Sequence, residues 1–304
     1  MMSSPESIDT ELTAILSNNP WCEMAKMVRA ALSEDTLQEE RFVLKQDDSI
    51  VRVVESLVQD DGYKLRLNLP PQPFIGHPKA KIWILQYNPG YSEGIDDFDY
   101  RGVLMPGLAS KRRNPSPSYL KDRIGLLCGQ YEFSDNVGFY VLDERFRTFK
   151  HGTRKGKGAY LWYDSTFFPS EGLFSCIGDS KKDQKRFADD NLFVIEFMPY
   201  HSQKFRHEFF PFLASFTFWK KLMHYAFTHD KIVLCHGLSD GNSLKTLALQ
   251  SVPGYQDAEA KGLICRIRRS GKGRSRLLLK RGLVSSKDGM LRVDTFLDIV
   301  GAVR

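Results

Sequence analysis

The chain has 304 residues, 42% of them hydrophobic, enough for one large domain or two small ones. No run of about 18 apolar residues exists, which excludes a spanning helix, and Met1 to Glu6 lacks the basic-then-apolar pattern of a signal peptide, so a cytoplasmic protein without membrane contact is expected. The net charge of +6 is modest, but the basic residues fall in short clusters beside glycines: Lys111 to Arg113, Arg154 to Gly158, Lys181-Lys182, and Arg266 through Arg281. Each cluster alone reads as a solvated loop; together they favour a phosphate backbone as partner. Cysteines 22, 128, 176, 235 and 265 are odd in number and never form a C-x-x-C pair. That fits reduced thiols and argues against a zinc site or a disulfide frame.

Residues 8–33 carry apolar side chains at helical spacing, and Asn19-Pro20 is expected to split them into two helices. Residues 37–66 read as mixed helix and loop. The stretch Leu69 to Pro78, with four prolines among Pro70, Pro71, Pro73 and Pro78, predicts an irregular lead-in on the surface or along a cleft wall. Lys81-Ile82-Trp83-Ile84-Leu85-Gln86-Tyr87 then reads as a buried strand, stopped by Asn88-Pro89-Gly90, since Pro89 offers no N–H to a ladder. Residues 118–130 suggest a helix, Phe139 to Leu142 a short strand, and 179–190 the charged start of a helix. Leu192 to Glu196 is a second buried strand that runs into Phe197-Met198-Pro199-Tyr200-His201-Ser202. Residues 207–229 predict one long aromatic helix in which Phe209, Phe212, Phe216 and Trp219 form a core stripe. Lys231 to Gly237 is a third strand, 243–250 a helix, and 262–267 with 276–279 a fourth strand and its neighbour. The tail from Val293 to Val303 reads as a last helix.

Alternating strands and helices predict an α/β protein: three layers, α/β/α, around a central, mostly parallel four-stranded sheet. One domain over 1–304 is expected, with an N-terminal helical extension over about 1–68 and a long insertion over about 95–190. In such a sheet the strand ends at Asn88-Pro89-Gly90, Glu196 to Ser202 and His236-Gly237 converge on one edge, where ligands bind. They would bring together an amide, a carboxylate, two imidazoles and several aromatics, a set able to hold a planar polar ligand and orient a water. The plainer readings are a strand followed by a turn at 88–90, a buried Glu196 paired with a cation, and structural histidines at 201 and 236. No Gly-x-x-x-x-Gly-Lys-Ser/Thr and no Gly-x-Gly-x-x-Gly follows a strand, so the common nucleotide-cofactor loops are absent.

Ile84 to Gly90, with its Pro-Phe-Ile-Gly-His-Pro lead-in, resembles the first motif of the uracil-DNA glycosylase superfamily, closest to its Asn-Pro-Gly branches, the mismatch-specific and single-strand-selective monofunctional enzymes. Glu196-Phe197-Met198-Pro199-Tyr200 resembles the second strand-end segment, and Val233 to Gly237 the third strand. The resemblance implies a uracil-DNA-glycosylase-like fold and a monofunctional DNA glycosylase, with no metal, no organic cofactor and no obligate protein partner. It implies catalytic roles for Asn88, which would position the attacking water, and for His201. Gln86, Tyr87, Gly90, Tyr91, Glu196, Phe197 and His236 would line the base pocket. Arg112, Arg113, Lys155, Arg269, Lys272 and Arg274 would grip DNA.

Two departures alter the expected substrate. Glu196 falls where the family has an Asn that reads the base edge, and a carboxylate accepts from cytosine N4 but repels the O4 of uracil. Gly90 stands where the main uracil branch has a tyrosine that bars groups at C5. The expected substrate is therefore a modified, enlarged or amine-bearing pyrimidine and not uracil, and analogy with superfamily members that attack modified viral DNA suggests an antiviral role. The His-Pro-Ser loop expected after the fourth strand is missing; His201, Lys272 or Arg269 would have to stabilise the leaving base. A catalytically inactive nucleic-acid-binding protein on the same scaffold is the alternative, and a hydrolase of a free nucleoside or nucleotide a third.

Overall fold

The computed structural model describes residues 5–34, 36, 40–87, 89, 117–134, 137–142, 168, 174, 177, 180–204, 207–236, 244–269, 277–281 and 290–291. The elements, in chain order, are α1 (Pro5–Leu16), α2 (Trp21–Ser33), α3 (Asp48–Leu57), β1 (Phe74–Gly76), β2 (Ile82–Gln86), α4 (Pro117–Tyr131), α5 (Lys181–Asn191), β3 (Leu192–Glu196), α6 (Ser215–Thr228), β4 (Ile232–His236), α7 (Leu244–Gln250), α8 (Tyr255–Ala260), β5 (Ile264–Arg269), β6 (Leu277–Arg281) and β7 (Met290–Leu291). No helix among the described residues is long and apolar enough to cross a membrane.

The protein is a mixed α/β structure. Its strands join in one sheet of order β1-β3-β2-β4-β5-β6-β7. The four central strands, β3, β2, β4 and β5, run parallel. The expected four-stranded sheet is thus the centre of a larger one, because β1 adds antiparallel to β3, and β6 and β7 extend the other edge antiparallel. All five residues of β2 and of β3 are buried, as befits parallel strands covered on both faces. Alternation splits their side chains between two cores. Trp83, Leu85, Phe193, Ile195, Val233 and Cys235 face a core completed by the N-terminal helices, α4 and α6. Ile82, Ile84, Leu192, Val194, Ile232 and Leu234 face a second one, closed by Phe139 to Leu142, Phe168, Phe174 and Ala188 of α5.

Local chemistry explains the helix boundaries. The break at Asn19-Pro20 falls where expected, and Asn19 starts α2 by accepting from the Trp21 N–H at 3.0 Å. Buried Trp21, Met24, Ala25, Val28 and Ala31 then recur on one face of that helix. Ser180 caps α5 by accepting from the Asp183 N–H, and within that charged helix Lys185 pairs with Asp189 at 2.7 Å. At the start of α6 the cap is long-range: buried Asp47 accepts from the Ser215 N–H and, on its other oxygen, from the Tyr200 hydroxyl, each at 2.9 Å. A carboxylate at a helix N-terminus also meets the positive end of the helix dipole.

Four expectations need correction. Phe139 to Leu142 is not a strand: Tyr140–Leu142 forms a 3-10 turn. The long helix over 207–229 is two pieces, a 3-10 segment His207–Phe212 that contains Pro211, then α6; Pro211 lacks the N–H an α-helix would need there. The proline-rich lead-in includes β1, an edge strand, and edges tolerate neighbouring prolines. The Arg266–Arg281 cluster is not a free loop either, since Arg266 is buried within β5 and Lys280 and Arg281 belong to β6. The predicted tail helix and most of the 95–190 insertion lie outside the described residues.

Gly76 ends β1 at φ +89°, and a Cβ there would lie 2.3 Å from the Leu192 carbonyl oxygen. The Gln130 side chain clamps the same residue, accepting from its N–H at 2.8 Å and donating to its carbonyl at 2.6 Å. Gly76→Ala is therefore expected to destabilise the fold by at least about 1–3 kcal/mol, read as a lower urea midpoint at unchanged slope.

Candidate functional site

Register brings the sequence-predicted residues of three strands level with one another. Gln86 at the end of β2 sits opposite Glu196 at the end of β3. His236 ends β4 one residue past the Leu85–Cys235 pair, so its backbone lies at the same height on the other side of β2. The pairing of β3 with β2 continues past the strands: Phe197 N–H donates to the Gln86 carbonyl at 3.1 Å and Met198 N–H to the Tyr87 carbonyl at 2.8 Å. Tyr87 is half-buried and is the last residue described before Asn88. Strands β3 and β4 flank β2 on opposite sides, so the chain reverses direction across the sheet here, and the carboxyl ends of β2 and β4 bound the switch-point crevice.

Asn88, Gly90, Tyr91, Arg112, Arg113, Lys155, Lys272 and Arg274 lie outside the described residues, and only the backbones of His236 and Arg269 are described. Arg269 closes β5 opposite Leu277. His201 is buried, its Nε2 donating to the Pro70 carbonyl at 3.1 Å, which ties the ring to the proline-rich lead-in. Phe197 is fully buried among Phe210, Phe216 and Trp219, its ring centroid 3.8 Å from that of Phe210. It packs with the core aromatics and does not stand at a surface.

Glu196 is the exceptional residue of this group. It is 3% exposed, its Oε2 has no hydrogen-bond partner, and burial alone pushes its carboxyl well above the ordinary value of 4.5. The plainer reading, a Glu196 paired with a cation, is not met by any lysine or arginine among the described residues. An unpaired buried charge is expensive, and the group avoids it by holding its proton. A protonated carboxyl donates one hydrogen bond and accepts others.

Glu196 also borders a small crevice between β3, α2 and α6, with room on the scale of a water molecule and not of a ring. Trp21, Phe74, Phe210 and Phe218 supply apolar walls. Two further lining residues were hidden in the sequence: Ser215 and Trp219 are both buried, and neither Ser215 Oγ nor Trp219 Nε1 has a hydrogen-bond partner. Trp219 belongs to the aromatic stripe assigned to the core, and spacing carries no signal that an indole N–H goes unmet.

Compared with protein-family models, with curated proteins and with solved structures, the chain matches none.

The state of Glu196 sets a pH dependence. With its folded-state pKa raised, the native protein binds the proton more tightly than the unfolded chain, so stability falls as pH rises from about 4.5 through the folded value. Within that window the slope is about 1.4 kcal/mol per pH unit. Glu196→Gln removes it. The melting temperature of the variant relative to wild type is expected to climb steadily with pH above that point; parallel curves would show that Glu196 is ionised and paired.

Proposed function

We propose that the chain is a monofunctional DNA glycosylase that hydrolyses the N-glycosidic bond of a pyrimidine nucleotide, on a uracil-DNA-glycosylase-like scaffold. One observation carries the reading: a buried carboxyl without a hydrogen-bond partner on Oε2 ends β3, level with the end of the strand that leads into Asn88-Pro89-Gly90. Native folds rarely leave such a group unmet without a use.

The target nucleotide would leave the stack to reach the site. Bond cleavage leaves positive charge on the sugar and negative charge on the base. Asn88 would hold the water that attacks C1′, and the proton that water loses balances the charge of the departing base. A neutral Glu196 suits this step, because it donates a hydrogen bond to a base that is gaining negative charge.

The proton on Glu196 changes the expected substrate. Discrimination against uracil assumed an ionised carboxylate. A neutral acid complements either edge, accepting from the N4 amine and donating to N3 of a cytosine, or accepting from N3–H and donating to O4 of a uracil. The exclusion of uracil-type bases therefore lapses, while the missing side chain at Gly90 still argues for room at C5. The proposed substrate is a 5-substituted pyrimidine, with either an amino or an oxo group at C4.

The second reading, a binding protein without catalysis, is favoured by one observation: the His201 ring, a candidate to support the leaving base, hydrogen-bonds Pro70. It requires salt-dependent DNA binding with no base release. The deciding experiment incubates the protein with DNA containing uracil, mismatched thymine, and hydroxymethylated or glucosylated cytosine, and identifies released bases by mass spectrometry. Release from at least one substrate is expected, with Asn88→Ala reducing the rate by about 100-fold or more and Glu196→Gln retaining more activity than Glu196→Ala. Absence of any released base across the panel ends the enzyme reading.

A further inference from the structure

The aromatic stripe within 207–229 is not wholly core. Phe216 and Trp219 are buried, but Phe212 is 69% exposed, the most exposed large apolar side chain among the described residues. Its neighbours hold it outside. Phe210 and Leu213 are buried, and the Phe210 ring packs 4.5 Å from that of Phe216 and 5.6 Å from that of Trp219. Pro211 restricts the backbone between them. The ring is thus presented to solvent from a fixed backbone, and a partner meets it with little ordering left to do.

The crossover from β3 through α6 to β4 fixes where this ring lies. Strands β3 and β4 both run parallel to β2, so the helix between them returns against the strand direction. Residues 197–214 therefore stand at the carboxyl edge of the sheet, the edge at which β2 ends before Asn88. The surface beside Phe212 is basic. Lys220 places Nζ 5.2 Å from the centre of the Phe216 ring, back toward the start of α6, and Lys221 beside it is exposed. Lys45 is exposed two residues before Asp47, whose side chain accepts from the Ser215 N–H. None of these lysines forms an ion pair among the described residues. On α3, Asp48 is already paired with Arg41 and Arg52. Glu208 is the acid of the 3-10 segment and stands toward its other end.

An exposed ring beside lysines without ion pairs suits a strand that offers both base faces and phosphates. A base inside a duplex is already stacked, whereas an unpaired base has a π-face to give. An apolar protein segment would cover the ring and the exposed Leu247 of α7, which packs against the 3-10 segment, but would leave the lysines without a counter-charge. We propose that the surface formed by Phe212, Lys45 and Lys220 binds single-stranded DNA, with Phe212 stacking on an unpaired base and the lysines contacting phosphates. The inference rests on the DNA-partner part of the base-excision reading and not on base release. It adds contact residues that no strand-end motif and no glycine-flanked basic cluster contains.

The test is fluorescence anisotropy of the full chain with three labelled probes of about twelve nucleotides. They are oligothymidylate, its duplex with oligodeoxyadenylate, and an abasic strand of the same length. Oligothymidylate is expected to bind more tightly than the duplex. Phe212→Ala is expected to weaken oligothymidylate binding about 5-fold or more and to leave the abasic strand unaffected, since only stacking is removed. Phe212→Trp is expected to retain binding. Lys45→Ala combined with Lys220→Ala is expected to weaken both single strands and to flatten the log–log salt slope by about 1.4, the share of two phosphates. Circular dichroism of each variant confirms that it folds. The proposal is overturned by no binding of oligothymidylate, by tighter binding of the duplex, or by a Phe212→Ala effect that is nil or equal on the thymidylate and abasic strands. An unchanged salt slope in the lysine variant overturns it too. So does a dimer in sedimentation that Phe212→Ala separates, which gives this face to a second copy of the chain. Base release is assayed separately on the same preparations. Stacking-dependent binding without release keeps the surface and removes the enzyme, whereas release with binding indifferent to Phe212 keeps the enzyme and removes the surface.

Discussion

Strand β2 is hydrogen-bonded along both edges and buried on both faces, and that double confinement fixes the geometry of the rest. Its five residues, Ile82 to Gln86, leave no freedom of register, because a slip of one position would turn Trp83 and Leu85 into the wrong core. The same constraint sets the heights of its neighbours. Gln86 and Glu196 are partners in the ladder, and the pairing extends to Tyr87 and Met198 beyond the strand ends. Whatever the chain does at residues 88–90 begins from a rigid point, beside a rigid β3. A reacting group needs that kind of support, since small displacements of a catalytic side chain sharply reduce its effect.

Two buried carboxyls show what the fold does when a carboxyl serves structure, and what it does otherwise. Asp47 is completely buried, yet each of its oxygens accepts a hydrogen bond, one from the Ser215 N–H and one from Tyr200. It joins α3, the segment after β3 and the start of α6. Glu196 is nearly as buried, and its Oε2 has no hydrogen-bond partner. Leaving such an atom unmet costs about 1–3 kcal/mol even when the group is neutral. On α6, Ser215 Oγ and Trp219 Nε1 are unmet as well. Such a penalty at the end of β3, in a fold that gives each oxygen of Asp47 a donor, marks a place where stability is given up for something else.

The sheet centre was legible because β2, β3 and β4 are short apolar runs that end at turn residues, a signal contained within each segment. The split at Pro20 and the charged helix before β3 were legible for the same local reason. Strand β1 was not, since its three residues sit among prolines and become a strand only by pairing with β3, more than a hundred positions away. The 3-10 turn at Tyr140–Leu142 has the composition of a strand, and burial against the sheet decided otherwise. Glu196 stood out in sequence as a polar residue ending an apolar strand. Its lack of a partner did not, because a sequence gives no inventory of what surrounds a carboxyl. Ser215 and Trp219 were still less visible, for a serine at a helix start reads as a cap and a tryptophan in an aromatic stripe reads as core.

Within the base-excision reading, the protonation of Glu196 shifts the burden of specificity from charge to shape. An ionised carboxylate would sort bases by the group at C4, rejecting an oxo group and welcoming an amine. A neutral acid takes both edges, so the two could be told apart only by fit. The burial that would supply that fit also keeps water from the carboxyl and so favours its protonated form. Widening the surroundings of Glu196 to admit a larger ring would hydrate the carboxyl, favour its ionised form and bring back discrimination by charge. Pocket size and base-edge chemistry are therefore not independent variables in this protein: a change to either wall or acid alters both.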